Sequence, residues 1–367
     1  MTESAAPGPS QSPAVEQQQV KSRGLPRLSV IVPVYNGALH LSRCLQALRV
    51  SDFQDFEVIV VDDCSTDSTP QIIERFGARY LRTPRQVGPG GARNLGVRHA
   101  AGEIIAFVDA DVVAPLNALG MIVDALDRDA TVAAVFGSYD ENPAWPDFLS
   151  QYKNLMHHYV HQISNERAVT FWAGCGAIRK STFEAVGGFD AAKYPNASIE
   201  DIELGYRLVG NGHRIQLLKQ LHVKHLKKWT VRGLVRADIY YRAIPWTKLI
   251  LETGHLPRDL NLTHLSRFSA GLTGLIALSL ILLPFSFAGL FPWISPAVFA
   301  AAILLFAAIL LALNWRVYAW FAEKRGSWFA AGAVLAHWCY YFYSGVVFVL
   351  CTLSHAGRGR QRAGVQG

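Results

Sequence analysis

Apolar and polar positions alternate in two regimes along this chain, and the change of period locates most of its elements. Residues 28–34 form a β-branched run closed by the turn residues Asn36 and Gly37, and apolar positions over 39–48 then recur at helical spacing. The plan repeats: 56–61 is an apolar run ending in Asp62 and Asp63, and Ser65, Thr66, Asp67 and Ser68 suit a helix start before Ile72, Ile73 and Phe76. A third short strand over 78–82 precedes a Gly-rich segment, 87–91, and a helix over 92–100. The run 104–108 then stops abruptly at Asp109 and Asp111. Strands alternating with helices predict an α/β domain, a mostly parallel sheet covered on both faces. In such sheets ligands bind beyond the carboxyl ends of the strands, where Asn36, Asp62, Asp63, Asp109 and Asp111 all fall.

The second regime lies at the other end. Residues 268–290 and 294–313 are uncharged and long enough to cross a bilayer, joined by Phe291, Pro292 and Trp293, and 328–353 is a third, more polar span containing His337. Arg316, Lys324 and Arg325 between the second and third spans favour the cytoplasm, whereas three spans leave Arg358, Arg360 and Arg362 outside, so the topology of the third stays open. The predicted organisation is a disordered tail (1–26), an α/β domain (27–226), a basic interfacial segment (227–262), a membrane region (263–356) and a basic tail (357–367). The tail contains no apolar core of signal-peptide length, which leaves the domain after it in the cytosol.

Charge sharpens the picture. Between Lys224 and Lys248 stand seven Lys or Arg and one acid, Asp238, a net +6 of the overall +7. Val231, Leu234, Val235 and Ile239 recur at helical spacing, with Lys228, Arg232 and Arg236 on another face. A basic amphipathic helix followed by Tyr240, Tyr241 and Trp246 reads as a segment on an anionic membrane surface, and no nucleic-acid-binding motif accompanies it. The five cysteines lack metal-ligand spacing and read as reduced thiols.

If 104–111 is a buried strand, alternation puts Asp109 and Asp111 on one side, where two carboxylates suit Mg²⁺ or Mn²⁺ shared with substrate phosphates. Four segments, Ser-Val-Ile-Val-Pro-Val-Tyr-Asn-Gly (29–37), Val-Val-Asp-Asp-Cys-Ser-Thr-Asp-Ser-Thr (60–69), Gly-Gly-Ala-Arg-Asn-Leu-Gly (90–96) and Phe-Val-Asp-Ala-Asp (107–111), resemble in order and spacing the family 2 glycosyltransferases of GT-A fold. So do 171–180, 186–190 and Glu-Asp-Ile-Glu-Leu-Gly-Tyr-Arg-Leu (200–208), although Cys64 stands where the family usually has Gly. Read alone, Gly187 and Gly188 are a helix C-cap turn, and Glu203 with Arg207 an i,i+4 pair.

The resemblance implies a nucleotide-sugar donor, UDP- or GDP-linked, in a pocket lined by Pro33, Tyr35 and Asn36. Asp63, or else Asp62, would hydrogen-bond the base; Arg93 would meet base or phosphate, with a surface salt bridge as its bland alternative. A divalent metal ion, Mg²⁺ or Mn²⁺, would be held by Asp111 and Asp109, and by His225 if that residue is not simply at the surface beside His222. Asp201 matches the family's base for inverting displacement, and Glu200 supports the site. The acceptor would be lipid-linked or membrane-proximal, and the protein a multi-pass inner-membrane enzyme with its catalytic domain in the cytoplasm. The processive synthases' Gln-X-X-Arg-Trp motif is missing, its nearest approach being residues 242–246, which favours single-sugar transfer. The alternatives are a polyprenyl-phosphate hexose synthase and a catalytically silent sugar-nucleotide-binding subunit of a polysaccharide assembly.

Overall fold

The computed structural model describes residues 24–256 and 263–364. The expected disordered tail as far as residue 23, the end of the interfacial segment (257–262) and residues 365–367 lie outside them.

Strand β1 (Leu28–Val34) is buried at every position, as a strand covered on both faces must be. The chain continues through α1 (Leu41–Arg49), β2 (Phe56–Asp62), α2 (Thr69–Phe76), β3 (Arg79–Arg82), α3 (Gly88–His99) and β4 (Ile104–Val108). After these come β5 (Val112–Val113), α4 (Ala118–Arg128), β6 (Val132–Tyr139), α5 (Phe148–Ile163), β7 (Arg167–Ala168), β8 (Cys175–Arg179), α6 (Lys180–Ala185), α7 (Glu200–Gly210) and β9 (Arg214–His225). The sheet order is β3-β2-β1-β4-β8-β6-β9-β5, with β7 also on β9. The first four strands are parallel, but β8 runs antiparallel to both β4 and β6. The sheet is therefore mixed. The loop before β8 delivers the chain to the carboxyl end of β4, where the Asp109 amide donates to the Gly174 carbonyl, so β8 can only run back.

Each face carries a core. Leu41, Leu45 and Leu48 of α1 and Ile122 and Leu126 of α4 cover one side, and Val97, Leu204 and Leu208 cover the other around Phe107 and Phe171. Helix α3 starts earlier than the expected 92, within the Gly-rich segment. Pro89 opens its first turn, and the low helix propensity of glycine conceals that turn in the sequence.

Beyond β9, the basic segment forms α8 (Val231–Arg236), a π-helical stretch (Ala237–Ala243) and α9 (Ile244–Thr253). No residue of α8 is buried, but the segment is less free than expected: Lys228 lies over Trp145, Arg236 over Tyr241, and Asp238 is buried. Helices α10 (His264–Phe287), α11 (Pro296–Leu313), α12 (Trp315–Arg325) and α13 (Ser327–Gly364) follow. Among the described residues, α10, α11 and 327–356 of α13 are long and apolar enough to cross a membrane, and large apolar side chains such as Leu304 and Leu280 stand exposed on them. Helix α12 was not expected from the hydrophobic pattern. With the start of α13 it packs on α5, placing Val317, Phe321 and Ala333 against Tyr152 and Leu155.

Candidate active site

At the carboxyl end of β1 the backbone turns through Asn36, whose φ of 50° lies in the left-handed region that asparagine tolerates. Its Oδ1 accepts from the Thr66 amide at 2.8 Å, and its own amide donates to Ser65 Oγ. The two aspartates after β2 divide their work. Asp62 is fully buried, accepting from the Ser65 amide at 2.8 Å and the Tyr80 hydroxyl at 2.9 Å, so it fixes the turn. Asp63 faces a large cavity and accepts from the amides of Val87 and Gly88 and from Thr83 Oγ1, all at 2.8 Å. Gly88 is required there: its φ is +75°, and a Cβ would strike the Pro195 carbonyl. Cys64, at φ 65°, holds the same conformation without being glycine, and its thiol donates to the Thr83 carbonyl at 3.1 Å.

Arg93 links the two halves of the motif set. It is buried, 2.7 Å from Asp109 Oδ1 and 3.0 Å from Glu200 Oε1, with its guanidinium over Phe189. The expected partners were a donor group or a surface carboxylate, and the site found is instead a buried ion bridge inside the cavity wall. Glu200 also accepts from the Ser198 amide. Burial and then Asp111 push the Asp109 carboxyl above its ordinary range, against the pull of Arg93. Next to Glu200, Asp201 accepts from the amides of Ala173 at 3.1 Å and Ile202 at 2.8 Å. Burial, and then the negative charge of Glu200, push its pKa up to about 7.

Asp111 behaves oppositely. Burial would raise its pKa, but His225, Lys227 and His40 more than offset that and hold it below the ordinary value. His225 Nε2 lies 3.5 Å from Asp111 Oδ2 because β5 pairs with the end of β9, Val112 opposite His225. His222 and His225 both lie inside β9; three residues apart, they leave on opposite faces, and His222 meets Gln162. No set of three His, Cys, Asp or Glu among the described residues forms a metal cage. Asp111 and His225 face one another, while Asp109 is turned to Arg93. Two protein ligands with the rest of the shell from substrate phosphates and water suit Mg²⁺ or Mn²⁺, so the donor set fits such an ion.

Sequence reasoning missed the aromatic floor. Tyr139 stacks on His225 at 4.2 Å between ring centroids, packs against His157 at 4.4 Å, and meets Trp172 edge-on. These residues come from β6, β9, α5 and the loop before β8, and only the fold brings them together. Pro33, Tyr35, Asn36, Asp63, Arg93, Asp109, Asp111, Glu200, Asp201 and His225 all border the one cavity of about 1170 Å³, whereas Asp62 does not.

A mixed sheet with acidic residues at the carboxyl end of its central strand, opposite an acidic helix start, is the GT-A architecture. Residues 29–187 match the Glycosyl transferase family 2 model, and this stretch is a family 2 glycosyltransferase domain. The chain is 42% identical over 92 residues to the poly(ribitol-phosphate) β-N-acetylglucosaminyltransferase TarS of Staphylococcus aureus, covering 23% of this chain and 16% of that one. It is 32% identical over 120 residues to the GalNAc(5)-diNAcBac-PP-undecaprenol β-1,3-glucosyltransferase of Campylobacter jejuni, covering 31% and 38%. It thus spans well under half the length of either relative. A mannosyltransferase structure from Pyrobaculum calidifontis, in complex with GDP-Man and Mn²⁺, shares the fold at TM-score 0.54 and 19% identity over 89% of this chain and 88% of that one.

Proposed function

We propose that the protein is an inverting, metal-dependent glycosyltransferase that moves one sugar from a nucleotide donor to a lipid-linked or membrane-proximal acceptor in cell-envelope synthesis. The observation that carries this reading is Asp201: a carboxylate fixed by two amides and poised near neutral pH, in the same cavity as Asp63, Asp109 and Asp111. Asp63, with Pro33, Tyr35 and Asn36, lines the nucleotide side. Asp111 and His225, with Asp109 beside them, would hold the divalent cation, which when bound neutralises charge on the departing diphosphate. Arg93 holds Asp109 and Glu200 in register. Asp201 takes the proton of the acceptor hydroxyl as its oxygen bonds to the anomeric carbon, while the carbon–oxygen bond to the diphosphate breaks and the electron pair leaves with the nucleotide.

The names of relatives support the cell-envelope setting: one acts on poly(ribitol-phosphate), another on an undecaprenol-linked glycan. The three apolar helices support placement in the inner membrane, with residues 27–226 as a cytoplasmic catalytic unit and 227–262 at its surface. The test is to incubate membranes bearing the protein with a panel of labelled UDP- and GDP-sugars and follow label into the lipid fraction. One nucleotide sugar should label it, and Asp201→Asn should lower the transfer by about a hundredfold or more; no labelling by any member of the panel would refute the assignment.

A further inference from the structure

Away from the carboxylates the cavity's lining runs on through Asp238, Tyr241 and Arg242. It continues past the π-helical stretch into a groove between α10 and α13 walled by Ala270, Gly271, Gly274, Gly345, Val346 and Val349. One space therefore joins Asp201 to the flanks of two helices that are each long and apolar enough to cross a membrane. At about 1170 Å³ it exceeds the roughly 300–1,000 Å³ typical of a pocket for one small ligand. There is room in the groove, since a Cβ added at Gly271 or Gly274 would meet nothing within 4 Å.

The lining changes character along its length. Between the carboxylates and the apolar groove stands Arg242, which makes no ion pair with any described residue. Asp238, four residues earlier, is already engaged by Lys153 and by the Tyr343 hydroxyl, which donates at 2.6 Å. Arg242 is thus a cation at the junction of a polar cleft and an apolar groove, and a guanidinium there suits a phosphate.

We propose that this continuous space seats the acceptor, a membrane lipid with a single hydrocarbon chain and a phosphate-linked head. The chain lies in the groove between α10 and α13, the phosphate meets Arg242, and the head reaches Asp201. A groove between one pair of helices fits one chain, and walls made of helices long and apolar enough to cross a membrane would set that groove at the level of the bilayer. This rests on the glycosyltransferase reading above and adds to it the class and path of the acceptor.

The experiment uses the full chain in lipid nanodiscs. Native mass spectrometry measures binding of C55 polyisoprenyl diphosphate and of the uncharged C55 polyisoprenol, with UDP and GDP binding measured on the same preparations. Gly271→Leu combined with Gly274→Leu should weaken both lipids at least tenfold, whereas Arg242→Gln should weaken only the diphosphate, again at least tenfold. Binding of the diphosphate lipid by the groove-filled variant as tightly as by wild type would overturn the proposal, as would an Arg242→Gln variant that weakens both lipids equally. Wild type that binds UDP or GDP but neither lipid overturns this inference alone; wild type that binds no nucleotide overturns the reading beneath it too.

Discussion

Replacing Asp201 by Asn should separate stability from turnover. The wild-type carboxyl has its pKa raised from 3.8 to about 7, so between those pH values the unfolded chain releases a proton that the native state retains. Native stability from this group is present below about pH 4, is lost as pH rises to 7, and stays lost above it. The shift is worth at most about 4 kcal/mol. Asn carries no charge and escapes that loss, but its NH₂ must face the amide of Ala173 or Ile202, leaving one hydrogen bond unmade at about 1–3 kcal/mol. The variant should therefore be about 1–3 kcal/mol more stable than wild type at pH 8 and about 1 kcal/mol or more less stable at pH 4. At roughly 2–4 °C per kcal/mol, thermal midpoints across this pH range will reveal the crossing. Over the same range wild-type transfer should fall below pH 7 as the base protonates, and the variant's should be lower by about 10²–10⁴. A midpoint difference that is flat with pH, or a variant less stable than wild type at pH 8, would refute the argument.

Asp111→Asn should lower turnover at least a hundredfold, as should excess chelator with wild type. Mn²⁺ at about 100 times its Kd should stabilise wild type by about 2.7 kcal/mol in thermal unfolding, and the variant should lose that response. Cys64→Gly relieves a left-handed backbone worth about 1–2 kcal/mol at the expense of one weak thiol contact, so the midpoint should stay level or rise; a fall by more than 1 kcal/mol would show that the thiol matters more than the strain. Reversing Lys228, Arg232 and Arg236 to Glu should lower transfer to a lipid acceptor more than transfer to a soluble analogue, since each charge turned to an anionic bilayer contributes about 1 kcal/mol to docking. Because Lys228 and Arg236 already lie over Trp145 and Tyr241, Arg232→Glu alone should account for a third or more of the loss seen with the lipid acceptor.

The strands of the first half were legible because buried parallel strands have no polar face to interrupt the run, and their carboxyl ends carried the acids that mark the cleft. Period could also find the three apolar helices, since their length exceeds what a soluble core demands. It could not find β8's direction, which follows from where the preceding loop delivers the chain. Nor could it pair His225 with Asp111, because β5 is two residues long and its partner strand lies over a hundred positions away. Arg93 was noticed for its chemistry, but its two carboxylates come from separate motifs, and only the closed fold shows that they share one guanidinium. Tyr139 and His157 carry no local signal at all: each reads as an ordinary half-apolar residue on a strand or helix.

The contact between α5 and the pair α12 and α13 bears on how the enzyme meets its substrate. Phe321 and Leu155 are fully buried in that seam, and Lys324 pairs with Glu141 at 2.8 Å at its rim, so the helices clasp the catalytic half directly and do not hold it on a leash. A leash would let the cleft sweep a hemisphere and sample acceptors at many heights. A clasp fixes the altitude of Asp201 over whatever plane the helices occupy. If the proposed transfer to a membrane acceptor holds, selection becomes a matter of reach: a hydroxyl presented at that altitude would be glycosylated, and chemically identical hydroxyls carried on a shorter or a longer head would pass by untouched.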